Sequence, residues 1–305
     1  MTTPIDNVPP HLLNQYKDDL VNMFFFAGAG ISRSSSMPDV QIMLSCTADV
    51  FLPDDITRRH RKKVLYLQPE IIYEAIIRIT GSRECLHLWQ ALHPGTQQIY
   101  GLECIPNIAH NFIVTHAAHH NVPIFTTNFD TMFEQAATSL GYEPKVYLPS
   151  DAPPNLAKAN TGNKQVAICK IHGSICDETG RYTPERLLTT ITEISSINVP
   201  WLEMIARLME KKYICFVGYS GRDIDMFPEI KRFSSTLRHI KGNSGIYWIN
   251  KFEKDPADGM SKECDAIRIE GVYPSDVFVK LAPSLLIPKR CGATSRSLRL
   301  RCLMF

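Results

Sequence analysis

No two of the nine cysteines in this 305-residue chain are spaced as CxxC. They stand at 46, 85, 104, 169, 176, 215, 264, 291 and 302, odd in number and scattered. Neither a disulfide framework nor a four-thiolate zinc site is therefore expected. An excess of one charge is also missing. The 33 Lys and Arg nearly balance the 31 Asp and Glu, leaving +2, so a role in coating nucleic acid or an anionic membrane gains no support. The longest apolar run, Met23 to Ile31, covers less than half of the ~20 residues that a membrane helix needs. The opening residues MTTPIDNVPP do not read as a signal peptide. Internal repeats and low-complexity tracts are absent too. The remaining composition is that of an ordinary globular protein, 44% hydrophobic and 21% charged, able to bury a sizeable core. The expectation is a reduced, cytoplasmic protein of about two average domains, or one large α/β domain with an insertion.

Short apolar runs alternate with amphipathic stretches. The runs at 23–27, 123–127, 144–148, 165–171, 213–218, 245–250 and 266–269 read as strands. Nearly all are apolar throughout rather than alternating, as strands covered on both faces are. Helical patterns lie at 11–22, 69–80, 106–120, 129–140, 200–212, 224–239 and 273–285. This alternation predicts a Rossmann-like, doubly wound parallel sheet whose ligands sit at the carboxyl ends of its strands. The stretch 41–105 interrupts the pattern and reads as a helical module inserted after the first strand, while 149–164 reads as a loop rich in proline and asparagine. Two basic clusters, RRHRKK at 58–63 and the tail with Lys289, Arg290, Arg296, Arg299 and Arg301, read either as solvated surface or as contacts to phosphate or protein.

Chemistry-bearing residues gather where strands end. Gly28-Ala29-Gly30-Ile31-Ser32 follows the first strand. Such a turn, opening a helix, lets backbone approach a pyrophosphate, although a glycine-rich turn is often only tight packing. The dehydrogenase fingerprint would need a third glycine where Arg33 stands, and an acidic residue ending a second strand about 20 residues on, so hydride transfer is not expected. Thr126-Thr127-Asn128-Phe129-Asp130 closes the second strand, with Asn128 or Asp130 alternatively capping the next helix. Lys170-Ile171-His172-Gly173-Ser174 closes another, and its histidine is either a structural hydrogen-bonding residue or a group poised for proton transfer. Gly218-Tyr219-Ser220-Gly221-Arg222-Asp223 and Asn250 complete the set. Five such sites at five strand ends can meet one ligand.

In order, GAGIS, TTNFD, KIHGS, GYSGRD and the Asn of YWIN resemble the motifs of the sirtuin family, over roughly residues 10–287. The resemblance implies one NAD-binding catalytic domain over 1–287, with 41–105 as the helical insertion and 288–305 as a basic tail. It implies that Gly28, Ala29, Gly30 and Ser32 hold the pyrophosphate, and that Asn128 and Asp130 hold the nicotinamide ribose and carboxamide. It makes His172 the general base and gives Gly218, Ser220 and Asn250 the adenosine half, with Asp39 and Thr127 standing at further motif positions of the NAD site.

The departures from protein-deacylating sirtuins narrow the implication. Those carry two CxxC pairs after the motif histidine; here Cys176 is the only cysteine between His172 and Cys215, so no zinc is expected. Their GIPDFR segment is replaced by Ser36-Met37-Pro38-Asp39-Val40-Gln41, their glutamine before the motif asparagine by Thr127, and the Asn128–His172 gap is longer. In these respects the chain is similar to the sirtuin-like effectors of bacterial antiphage defence. That likeness implies hydrolysis of NAD to nicotinamide and ADP-ribose, homo-oligomerisation, and a HerA-type ATPase or an Argonaute-type sensor as partner, with no membrane contact and no direct nucleic-acid binding. The competing expectations are an NAD-dependent deacylase or ADP-ribosyltransferase, and a non-catalytic module that binds NAD or ADP-ribose.

Overall fold

A computed structural model describes residues 10–38, 40–52, 63, 67–94, 104–155, 164–177, 179–195, 199–223, 225–241, 245–251, 257–270 and 274–285. Asp39, most of the 58–63 cluster, the middle of the 149–164 loop and the basic tail lie outside the described residues.

Seven strands form one wholly parallel sheet: β1 (Met23–Ala27), β2 (Ile124–Thr126), β3 (Glu143–Tyr147), β4 (Gln165–Lys170), β5 (Tyr213–Val217), β6 (Ile246–Asn250) and β7 (Ile267–Glu270). Their order is β3-β4-β2-β1-β5-β6-β7, so the chain starts in the middle, builds outward to one edge, then returns to build the other. The apolar composition explains the layering. All five residues of β1, MFFFA, are buried. Phe25 meets Phe112 and Phe278 on one face, while Phe26 meets Phe216 and Tyr219 on the other. Edge strand β3, EPKVY, is the partly exposed one.

The helices are α1 (Pro10–Asp19), α2 (Val40–Phe51), α3 (Pro69–Thr80), α4 (Ile108–His120), α5 (Met132–Ser139), α6 (Ile191–Ile194), α7 (Val199–Lys211), α8 (Met226–Lys241), α9 (Ala257–Glu263) and α10 (Pro274–Leu285). Local chemistry sets several of their ends. Pro69 opens α3, and Gly81, at φ +67°, closes it. Asn107 caps α4, accepting from the amides of Ala109 and His110. The segment after the first glycine turn differs from expectation: Ala29–Ser35 is a 3-10 helix, not an α-helix. Its run Arg33-Ser34-Ser35-Ser36 is a poor helix former, and Asn107 draws it into another shape by donating to Ile31 O at 2.7 Å and Ser34 Oγ at 2.8 Å.

Two apolar clusters are formed. The larger unites the sheet with its covering helices, around residues such as Phe26, Ile168, Phe216 and Trp248. The second brings Leu44 of α2, Tyr73 and Ile76 of α3, and Leu86 and Trp89 of a 3-10 segment, Glu84–Leu92, against Met132, Ile175 and Leu187. The cavity described next lies at the carboxyl ends of the central strands, between the sheet and these helices.

Candidate active site

The loops that leave β1, β2, β4 and β5 converge on a single cavity. Its lining includes Gly28, Ala29, Gly30, Ser32, Thr127, Asn128, Asp130, His172, Gly218, Ser220 and Asn250, every expected site residue except Asp39, which is not among the described residues. The topology accounts for the convergence. β2 lies beside both β1 and β4, and β5 lies on the other side of β1, so these strand ends surround the point where the order of the sheet reverses.

The glycines serve the scaffold first. Gly28 donates its amide to Val217 O at 3.0 Å and Gly30 donates to Gly218 O at 2.9 Å. A Cβ on Gly30 would fall 2.7 Å from Gly218 O, and one on Gly218, whose φ is +61°, would fall 2.3 Å from Ile31 N. The two loops thus meet backbone to backbone, which leaves Ala29, lining the cavity at the start of the 3-10 segment, to face a ligand. Gly173 is equally constrained: at φ +94°, a Cβ there would lie 1.9 Å from Arg186 O.

Asn128 and Asp130 sit in a buried polar network. Ser32 Oγ donates to Asp130 Oδ2 at 3.1 Å and lies 3.3 Å from His110 Nε2, while Asn128 Nδ2 reaches Ser32 Oγ at 3.5 Å. Asp130 Oδ1 accepts the Met132 amide at 3.0 Å, so this carboxylate both holds the first amide of α5 and belongs to the network. Burial holds His110 neutral by lowering its pKa to about 4, against the opposing pull of Asp130. Asn128 Oδ1 is buried and accepts no hydrogen bond among the described residues, an orphaned acceptor beside the cavity.

Lys170 ties the second motif to the third. Its buried ammonium donates to the carbonyls of Phe129 and Asp130 and to Ser174 Oγ at 3.1 Å, and it pairs with Glu134 at 2.6 Å. Two residues on, His172 is only 4% exposed and its Nε2 lies 3.3 Å from Asp225 Oδ2. Burial alone would depress this imidazole. The hydrogen bond to Asp225 and the charges of Asp223, Asp225 and Glu70 outweigh that and raise it to about 9. Glu70 is raised in turn to about 7, by burial first and by Asp223 second. Both Asn128 and His172 are buried, whereas an open crevice would leave them exposed; the sheet ends and the helical insert close over them.

Residues 122–268 match the profile of a family described as the SIR2-like domain. The chain carries a SIR2-like domain. The match runs from β2 into β7 and takes in Asn128, His172 and Asn250, while β1, the Gly28–Gly30 turn and the inserted helices precede it. Compared with curated proteins, the sequence has no match. Among solved structures it is similar to a Sir2 homologue in complex with NAD, at 14% identity over 89% of this chain and 93% of that one, TM-score 0.49. It is also similar to a mutant Sir2 homologue in complex with ADP-ribose, at 14% identity over 93% and 100% of the two chains, TM-score 0.47.

At the far end of the SIR2-like site, Asn250 Nδ2 and Trp248 Nε1 both donate to Tyr219 O, at 3.1 and 2.9 Å, and Asn250 Oδ1 accepts the Lys251 amide at 2.9 Å. Asn250 therefore shapes the loop that carries Ser220. The cavity is also lined by residues to which the motifs assign no role: Glu70, Tyr73 and Trp89 from the insert, and Tyr219, Arg222 and Asp223 after β5. His110, Lys170 and Asp225 were likewise given no role. For Asp225 the signal was present, as the second acid of Asp223-Ile224-Asp225. For Glu70 it was only an acid in the first turn of an amphipathic helix that also carries Glu74 and Arg78.

Proposed function

We propose that this cavity binds NAD as a substrate and hydrolyses its nicotinamide–ribose bond. The observation that carries the reading is the orphaned Oδ1 of Asn128, buried beside a cavity onto which His172 and the glycine-rich loops also open. A buried acceptor without a partner costs about 1–3 kcal/mol, which a ribose hydroxyl or a held water would recover. The donor set fits a dinucleotide: Ala29 at a helical N-terminus for the pyrophosphate, Asn128 and Asp130 for the ribose and carboxamide, Ser220 with the Gly218 loop for the adenosine half. Gly28, Gly30, Ser32 and Asn250 support this by shaping those loops, and Thr127 and Asp39 belong to the same proposed site.

In the reaction the C1′–N bond breaks through an oxocarbenium-like state and nicotinamide leaves neutral, so no acid is needed for departure. Water forms the new O–C1′ bond and gives up one proton, yielding nicotinamide, ADP-ribose and H⁺. Asn128 orients ribose and water, and neutral His172 takes the proton, a contribution typically worth ~10²–10⁴-fold. Incubation with NAD followed by chromatography tests the reading. Equimolar nicotinamide and ADP-ribose are expected; an acyl-ADP-ribose product formed only with an acylated peptide would favour the deacylase, and no turnover in any assembly state would favour a binding module.

The absence of CxxC pairs supports a zinc-free fold, and elemental analysis showing one zinc per chain would overturn that. The likeness to antiphage effectors supports depletion of NAD as the biological output, with activation by self-association or by a HerA-type or Argonaute-type partner.

A further inference from the structure

Three carboxyl groups from two separate elements surround His172. Asp225 and Asp223 follow β5, and Glu70 comes from α3 of the insert. Asp225 Oδ2 is 3.3 Å from Nε2, while Asp225 Oδ1 and Glu70 Oε2 are both buried without a hydrogen-bond partner among the described residues. The backbone of His172 is fixed as well, its carbonyl accepting the Leu188 amide at 2.9 Å. On the strand that precedes it, Lys170 pairs with Glu134. Beside Asp223 stand Tyr219 and Arg222, and the Arg222 charge acts on that carboxyl.

We propose that Asp225 is the positioning residue of His172: it holds the Nε2 proton so that Nδ1 is the atom that accepts the proton lost by the attacking nucleophile, and Glu70 and Asp223 complete an acidic collar that fixes the charge of the pair. The tautomer argument is geometric. A neutral imidazole has one donor and one acceptor, and a carboxylate on Nε2 assigns the donor to that side. The collar also accounts for what α3 contributes to the chemistry, since Glu70 is the acid it places on the cavity. It carries a further implication. The resting imidazole keeps two protons at neutral pH, and a cationic nicotinamide ring entering the collar displaces one of them.

The role of Asp225 rests on the proposed role of His172, so its test does not depend on turnover. The imidazole protons of His172 are titrated by NMR from pH 6 to 10.5 in the parental protein and in Asp225→Asn, Asp225→Glu and Glu70→Gln. The parental midpoint is expected near 9. It should fall by about one to two units in Asp225→Asn, by less in Glu70→Gln, and return toward the parental value in Asp225→Glu. The rising limb of kcat/KM against pH should move by the same amounts. An unchanged midpoint in a folded Asp225→Asn protein would overturn the proposal. If that variant fails to fold, an unchanged midpoint in Glu70→Gln would do so instead. A protein that shows these shifts and yet never cleaves NAD would retain the collar and lose the hydrolase reading.

Discussion

Asn128 and His172 each stand two residues beyond the end of adjacent strands, β2 and β4, yet removing them should have unlike consequences. Asn128 holds its neighbours through one 3.5 Å contact from Nδ2 and leaves Oδ1 unused, so Asn128→Ala should abolish most NAD cleavage while moving thermal stability little. His172→Ala strips the collar of its cation, and uncompensated buried charge typically costs about 3–5 kcal/mol. Its loss of activity should come with a lowered melting temperature. If both side chains act on one step, the double variant is little slower than either single. Parental turnover by a folded, assembled His172→Ala protein would move the search for the base to Asp130 or Asp39. A second expectation follows from the sign of the shift. As the proposed base, His172 has to be unprotonated, and in the unliganded protein its raised pKa of about 9 keeps the proton on at neutral pH. Thus kcat/KM should climb about tenfold per pH unit above neutrality and level off near that value; a plateau already reached at pH 7 would contradict the collar.

At the scale of elements, the loops are set by contacts that tolerate no side chain. Gly218→Ala has to adopt φ +61° and push against Ile31 N, so it should destabilise by more than about 1 kcal/mol and reduce cleavage together. Gly180, at φ +80° with open space around it, is the control: Gly180→Ala carries the backbone strain without the collision. Thermal melts of the two variants make the comparison. The strands were legible because a fully buried parallel strand leaves an uninterrupted apolar run, as in Met23–Ala27, and β1, β2 and β5 begin within a residue of where that signature places them. Helix α2 was not, because VQIMLSCTADVF mixes β-branched and polar residues and only its packing on Trp89 and its neighbours selects a helix. The motif residues were legible for a different reason, since polar and glycine-rich turns stand out against the apolar runs that precede them. The collar was hidden. Glu70 and Asp225 lie far apart in the chain, and an acid at the start of an amphipathic helix ordinarily reads as solvated surface.

In the whole molecule, the cavity has walls from two apolar clusters that pack separately: the sheet presents His172 and Asn128, and the inserted helices present Glu70, Tyr73 and Trp89. A ligand seated there acts as mortar between two masonry blocks, adding most to the looser one. Free energy of binding to the closed form appears as resistance to opening, about 2.7 kcal/mol at a concentration one hundred times Kd. With a non-hydrolysable NAD analogue, hydrogen exchange should therefore slow more in α2 and α3 than in β1, β5 and β6, whose protection the sheet already provides. Equal slowing everywhere would mean that the two blocks open as one. The same arrangement places Glu70 at the joint, so a partner that grips only the outer helices changes the charge around His172 without touching the sheet.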